Sequence, residues 1–238
     1  MKILAIESAT AASSVALGEG QSLAAISTLV DARGHVEFIV PAIDFNFARL
    51  GWCPDDLDIV AVDVGPGTFS GIRAGVAAAQ AISAAIGVPI VTVSSLMLLA
   101  MRAATDHHRI WPLVDVRRGQ IATSPYRSAS GGLVRDGSAE LLTPDEFKKA
   151  VEADPMDALI VGDIDALPRD FFCELDWVKW SYPRYPSADV ILEYAALAAV
   201  QEDFVGSQEI HPFYMREPDA RINWADFREE GMWPAGLS

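Results

Sequence analysis

The chain has 238 residues, of which 51% are hydrophobic and 21% charged. That composition supplies a real core and excludes disorder on a large scale. A formal net charge of -15, with 18 Lys and Arg against 33 Asp and Glu, argues against a protein that grips nucleic acid alone, because that task needs a basic stripe to neutralise phosphates. Two cysteines, Cys53 and Cys173, match no metal spacing and fit a reducing compartment. The N-terminal Met1-Lys2-Ile3-Leu4 lacks the form of a signal peptide, so a cytoplasmic protein is expected. The uncharged stretch from Ala74 to Met101 is alanine-rich and broken at Gly87-Val88-Pro89. It reads as helix, turn and strand rather than a membrane span.

In chain order, Ile3–Glu7, Ser14–Gly18 and Leu23–Val30 predict an antiparallel meander. From His35 to Leu50 the period becomes helical, with Val36, Ile39, Val40, Ile43 and Phe47 on one stripe and Phe38, Ala42 and Phe45 on another. A helix apolar on two faces is buried on two sides, so one side is expected to meet a partner. Pro41 marks a kink or a true start. Asp58–Val64 is a buried strand, followed by Gly65-Pro66-Gly67-Thr68-Phe69-Ser70-Gly71 and a helix over 72–86. Ile90–Val93 is the next strand, and Ser94-Ser95 caps a helix to about Ala104. Alternating strands and helices of this kind imply parallel pairing with crossovers.

A polar break at His107-His108 marks the expected lobe boundary. Trp111–Val116, the turn Arg117-Arg118-Gly119 and Gln120–Tyr126 then repeat the opening plan of strand, carboxylate (Glu7, then Asp115), turn and strand. The expected organisation is an N-terminal lobe at 1–105, a C-terminal lobe at 106–210 and a tail at 211–238 that carries Trp224 and Trp233. Thr143-Pro144-Asp145-Glu146 predicts a capping box. Ala158–Val161 is a strand, and Ser187–Ala199 a helix with Val190, Ile191, Tyr194 and Leu197 on one face.

The strand-to-helix glycine loop is the candidate anion site. Gly65, Gly67 and Gly71 permit close backbone approach, the helix start offers free N–H groups, and Thr68, Ser70 and Arg73 could add donors. Gly67 is expected at positive φ. The loop is neither a P-loop nor a dinucleotide fingerprint, since no Gly-Lys-Ser/Thr follows; a plain tight turn is the alternative. The small residues Ala74, Ala77, Ala78 and Ala81 allow a second helix to come near. Packing on the chain's own sheet is one explanation, and a joint patch with the 35–50 helix is the other. His35 has no second histidine at helical spacing, so it reads as a capping or surface residue, and no metal site or nucleophile motif is expected. Glu7 and Asp115 end strands, where carboxylates reach ligands or form turns.

Three segments carry a resemblance: Ile3-Leu4-Ala5-Ile6-Glu7-Ser8-Ala9-Thr10 with Ser14-Val15-Ala16-Leu17; Gly65-Pro66-Gly67-Thr68-Phe69-Ser70-Gly71-Ile72-Arg73-Ala74-Gly75; and Val93-Ser94-Ser95-Leu96. Leu113-Val114-Asp115-Val116-Arg117 and Tyr214-Met215-Arg216-Glu217-Pro218-Asp219-Ala220 are weaker echoes. Together they resemble the TsaB (YeaZ) family. The resemblance implies an α/β, two-lobed actin-like ATPase fold built by ribonuclease-H-like duplication. It implies a non-catalytic subunit beside the larger TsaD and the ATPase TsaE, in transfer of threonylcarbamoyl to N6 of adenosine 37 of tRNA. It also implies contact with TsaD through the helices at 35–50 and 71–86, homodimerisation through the same surface when alone, and contact with tRNA only through the complex. No cofactor is implied. The first loop, Ser8-Ala9-Thr10-Ala11-Ala12, lacks the glycine of nucleotide-binding relatives, and Glu7 stands where Asp is more usual. An ATP-dependent phosphotransferase of this fold and a metallopeptidase are the alternatives; each asks for groups this sequence does not offer.

Overall fold

The computed structural model describes residues 1–103, 109–129, 132–168, 170–181 and 183–215. The expected lobe boundary at His107-His108 and the tail from residue 216 lie outside these. Strands β1 (Lys2–Glu7), β2 (Ala12–Glu19) and β3 (Ser22–Val30) form the expected meander. Helix α1 spans His35–Leu50, with Pro41 inside it and Gly51 closing it in the left-handed conformation that glycine adopts without a Cβ penalty. Strand β4 (Ile59–Asp63) pairs parallel to β1, helix α2 (Phe69–Ile86) follows, and β5 (Ile90–Val93) pairs parallel to β4. Helix α3 (Ser95–Arg102) starts at Ser94, whose Oγ accepts the Met97 N–H.

The second half repeats the plan. Strand β6 (Arg109–Asp115) turns at Arg117, Arg118 and Gly119, all at positive φ, into β7 (Ile121–Thr123). A hairpin of β8 (Tyr126–Ala129) and β9 (Gly132–Arg135) is inserted before β10 (Glu140–Leu142). The returning strand expected over 120–126 is thus split, because Ser124-Pro125 breaks it; Pro has no N–H to give a ladder. Helix α4 (Pro144–Glu152) carries the expected capping box: Thr143 Oγ1 accepts the Glu146 N–H, and Glu146 accepts the Thr143 N–H. Strands β11 (Ala158–Gly162) and β12 (Val178–Ser181) and helix α5 (Ala188–Val200) complete the fold. The sheet orders are β3-β2-β1-β4-β5 and β10-β7-β6-β11-β12. In both, three strands are antiparallel and the next two parallel, so the architecture is a duplicated ribonuclease-H-like α/β fold of the actin-like kind.

The last helix of each half crosses to the other. Leu96, Leu99 and Ala100 of α3 pack with Ile110, Val114, Leu159 and Val161 of the second sheet. Val190, Ile191, Leu192 and Ala195 of α5 pack on Ile3, Ala5, Ile59 and Val91 of the first. Helix α5 therefore covers the N-terminal sheet although it lies late in the chain. Its outer side includes Leu197, which is half exposed rather than on the buried stripe with Val190 and Ile191.

On its other face the first sheet is covered by α1 and α2, through Leu4, Ile6, Val60 and Val62 against Ile39, Ile43, Phe47, Ile72 and Val76. Helix α2 is long and apolar enough by composition to cross a membrane. Here it instead buries Gly71, Ile72, Gly75, Val76, Ala79 and Ser83 against the rest of the fold.

Candidate functional site

The carboxyl ends of β1 and β4 lie side by side, since Ile6 pairs with Val62. The next residues are Glu7 and Asp63, both buried. Glu7 Oε1 accepts the Ala9 N–H at 2.8 Å, while Oε2 has no partner among the described residues. Asp63 collects more donors: the Gly65 N–H at 2.7 Å and the Ser95 hydroxyl at 2.8 and 2.9 Å to its two oxygens. Burial pushes Asp63 up to about 7, against the Gly65 and Ser95 donors. Burial first, and then the Asp63 charge, hold Glu7 well above its ordinary value, against the Ala9 and Thr10 N–H groups. Two carboxylates this close cannot both ionise cheaply. Glu7, which has the fewer donors, is the member whose neutral form burial favours. Asp63 was not singled out from sequence; the signal was available in the acidic end of Ile59–Asp63 beside a parallel partner ending in Glu7.

The second half carries an equivalent pair. Asp115 ends β6 and accepts the Arg117 N–H at 2.7 Å; Asp163 follows β11 and donates its N–H to Leu113 O. Asp163 is raised by burial and then by Asp115, against Arg184 and Arg117. This pair is more open, with side chains 30% and 15% exposed.

The glycine loop joins β4 to α2, and the chain itself fills it. The Thr68 N–H donates to Ala9 O at 2.6 Å, and Ser8 Oγ donates to Gly71 O at 2.8 Å. A Cβ on Gly67 would stand 2.0 Å from Ala9 O, one on Gly71 2.0 Å from Ser8 O, and one on Gly75 2.5 Å from Ser8 Oγ. Positive φ belongs to Gly65, at 103°, and not to Gly67 as expected from sequence. Gly67 is instead required by the close approach of the first loop. The outer side is covered too: Phe213 donates its N–H to Val64 O at 2.7 Å, and Tyr214 stacks on Phe69 with centroids 5.1 Å apart. Arg73 donates to Tyr214 Oη and lies over the Phe69 ring. Of the expected side-chain donors, Arg73 is engaged within the protein, Ser70 is exposed, and the Thr68 hydroxyl is buried with no partner among the described residues. Among the described residues no group of three or more His, Cys, Asp or Glu gathers as metal ligands.

His35 is neither a cap nor a surface residue. It is buried at the start of α1, and its Nδ1 lies 2.7 Å from Ser13 Oγ. Burial lowers its basicity, against Ala32 and Asp31.

The expected partner face divides in two. Ile39, Ile43 and Phe47 are only 2–7% exposed, because they pack on the first sheet as part of the protein's own core. They cannot meet a partner without unfolding. Val36 and Val40, one turn apart on α1, are 71% and 57% exposed. On the neighbouring α2, Ala77 and Ala81 are exposed, while Ala74 and Ala78 are half-buried against the core. The open apolar surface is therefore the outer row of each helix. Phe45 and Pro41 add a further exposed edge toward β3.

A family model described as "TsaD: tRNA N6-adenosine threonylcarbamoyltransferase" matches residues 27–147. The chain is 30% identical over 231 residues to an uncharacterized protein of Mycobacterium leprae (strain TN), covering 94% of this chain and 57% of that one. It is 30% identical over 149 residues to the tRNA threonylcarbamoyladenosine biosynthesis protein TsaB of Escherichia coli (strain K12), covering 62% of this chain and 64% of that one. These matches thus span under two thirds of either relative. Among solved structures, an uncharacterized protein with similarity to peptidase YEAZ from Pseudomonas aeruginosa superposes with a TM-score of 0.77 at 25% identity, covering 90% of this chain and 99% of that one. With the duplicated sheets and the self-filled glycine loop, these likenesses place the chain in the TsaB (YeaZ) family, among the proteins that the TsaD model describes.

Proposed function

We propose that this protein is a non-catalytic subunit of a tRNA-modifying assembly, binding a TsaD-family transferase that attaches threonylcarbamoyl to N6 of adenosine 37. The observation that carries the reading is the exposed apolar row of Val36 and Val40 on α1 beside Ala77 and Ala81 on α2. An exposed apolar row shared by two neighbouring helices is the kind of surface that a partner covers. Small residues on α2 let a partner helix approach closely. Family membership names the class of partner, and the net charge of -15 assigns the grip on tRNA to the rest of the complex. In this reading the same row pairs two copies when the transferase is absent, a TsaE-family ATPase completes the assembly, and the protein works in the cytoplasm.

The phosphotransferase alternative needs phosphate loops open to a nucleotide, whereas Ala9, Phe213 and Tyr214 occupy the surroundings of the first glycine loop. The test is an omission assay. TsaD- and TsaE-family proteins, a threonylcarbamoyl-adenylate source and tRNA are combined with and without this chain, and modified adenosine is quantified. Modification that depends on the chain, with none from the chain alone, is the expected result. Equal modification without it overturns the proposal.

A further inference from the structure

The face of the first sheet opposite α1 and α2 carries a feature that partner binding does not use. Between α3, α5 and the β8–β9 hairpin runs a cleft with two parts, of about 480 and 220 Å³. Met97 and Tyr194 line both parts, so they are continuous. Together they fall within the roughly 300–1,000 Å³ of small-molecule sites.

The two ends differ in chemistry. The smaller end is lined by Thr92, Ser94, Tyr126 and Arg135. Tyr126 is fully buried and its hydroxyl is held by Ser94. Arg102, Arg109, Arg127 and Arg184 each pair with an aspartate. Arg135 has no ion pair among the described residues; the same is true of Arg33, Arg49 and Arg73, but of these four only Arg135 lines the cleft. The larger part is lined by Met101, Leu133, Leu197 and Asp203. An anionic group on a ligand is therefore drawn toward Arg135 in the smaller part and disfavoured beside Asp203 in the larger.

We propose that this cleft binds a small amphipathic anion, a medium-chain carboxylate, with its head on Arg135. Its chain lies over Met97, Met101 and Leu133. Flexible methionine thioethers suit an alkyl chain, since they fill irregular gaps at little cost. The guanidinium offers the paired donors that match a carboxylate.

The test is calorimetric titration of the full chain with octanoate, octan-1-ol and acetate. Saturable octanoate binding is expected, with octanol at least about tenfold weaker and acetate silent, since a charged hydrogen bond and the apolar contact are both required. Arg135→Gln, at an exposed position, should weaken octanoate about tenfold and leave the melting midpoint unchanged. Leu197→Asp, also exposed, should weaken it through the other end. Octanoate and octanol binding alike, or an Arg135→Gln variant that binds octanoate normally, overturns the proposal. So does an absence of saturable heat with the wild-type chain.

Discussion

Replacing Asp63 by Asn should remove a pH dependence that the buried carboxylate pair imposes on folding. Asp63 ionises near 3.8 when unfolded and about 7 in the fold. Across that window the native state holds a proton that the unfolded chain has released, so stability is full below about pH 4 and falls as pH rises toward 7 and beyond. About three units at roughly 1.36 kcal/mol each give about 4 kcal/mol in all, of which roughly 2–3 kcal/mol falls between pH 5 and pH 8. Asn keeps an acceptor for the Gly65 N–H and can still bond Ser95 Oγ, so the geometry survives. The assay is equilibrium urea unfolding of wild type and Asp63→Asn near pH 5, 6.5 and 8. The variant should gain on wild type by roughly 2–3 kcal/mol from the first pH to the last. His35 works in the opposite sense, since its lowered basicity makes the fold gain stability as pH rises toward 6.5. The difference between the two proteins cancels that contribution. A difference that stays constant across the three pH values would show that the pair is not ionising as argued.

Asp163→Asn should give a change of the same sign but smaller, because Arg184 and Arg117 offset the burial of that carboxyl; the same urea series measures it. Gly71→Ala should destabilise by about 3 kcal/mol or more, since its Cβ would stand 2.0 Å from Ser8 O in backbone that has no room to yield; thermal unfolding reads it out. Val40→Asp and Ala77→Arg should each abolish capture by a TsaD-family protein in a pull-down while shifting the melting midpoint by no more than a degree or two, as expected for exposed positions. Ile43→Asp should unfold the chain instead, because that side chain lies in the core; a folded Ile43→Asp variant would contradict the packing.

Much of the fold was legible because its signals are local. The alternation in Ile3–Glu7 and Leu23–Val30 marks strands, the 3.6 period from His35 marks α1, and Thr143 with Glu146 marks the start of α4. Less legible was anything decided by distant packing. The sequence directs one side of α1 to a partner, and its stripe of Val36, Ile39, Val40, Ile43 and Phe47 reads as that face, yet Ile39, Ile43 and Phe47 meet the sheet and only Val36 and Val40 of it stay open. The hairpin of β8 and β9 is short and half-exposed, so it carries no strong period. Helix α5 gave no hint that it covers the first sheet rather than the second. Gly67 and Gly71 read as ligand-facing glycines because the sequence does not reveal that residues 8 and 9 come within contact of them.

The duplication makes the state of the glycine loop interpretable. Each half ends a central pair of parallel strands in two carboxyls, Glu7 with Asp63 and Asp115 with Asp163. Such a repeated arrangement suits a ligand held between two lobes. In the N-terminal half that arrangement is closed from both sides. Ser8 and Ala9 press on α2 with no room for a Cβ at three glycines, and Phe213 and Tyr214 lie over the loop. The Thr68 N–H that would meet a phosphate already meets Ala9 O. Burial of the pair beneath disfavours a second acidic charge there. In the C-terminal half the carboxyls remain partly open and paired with arginines. The geometry thus retains the frame of a ligand-binding fold while filling one of its two loops with its own backbone. The same tight seating fixes α2 against the first sheet. In this protein the glycines serve to pack α2 on the first loop and sheet.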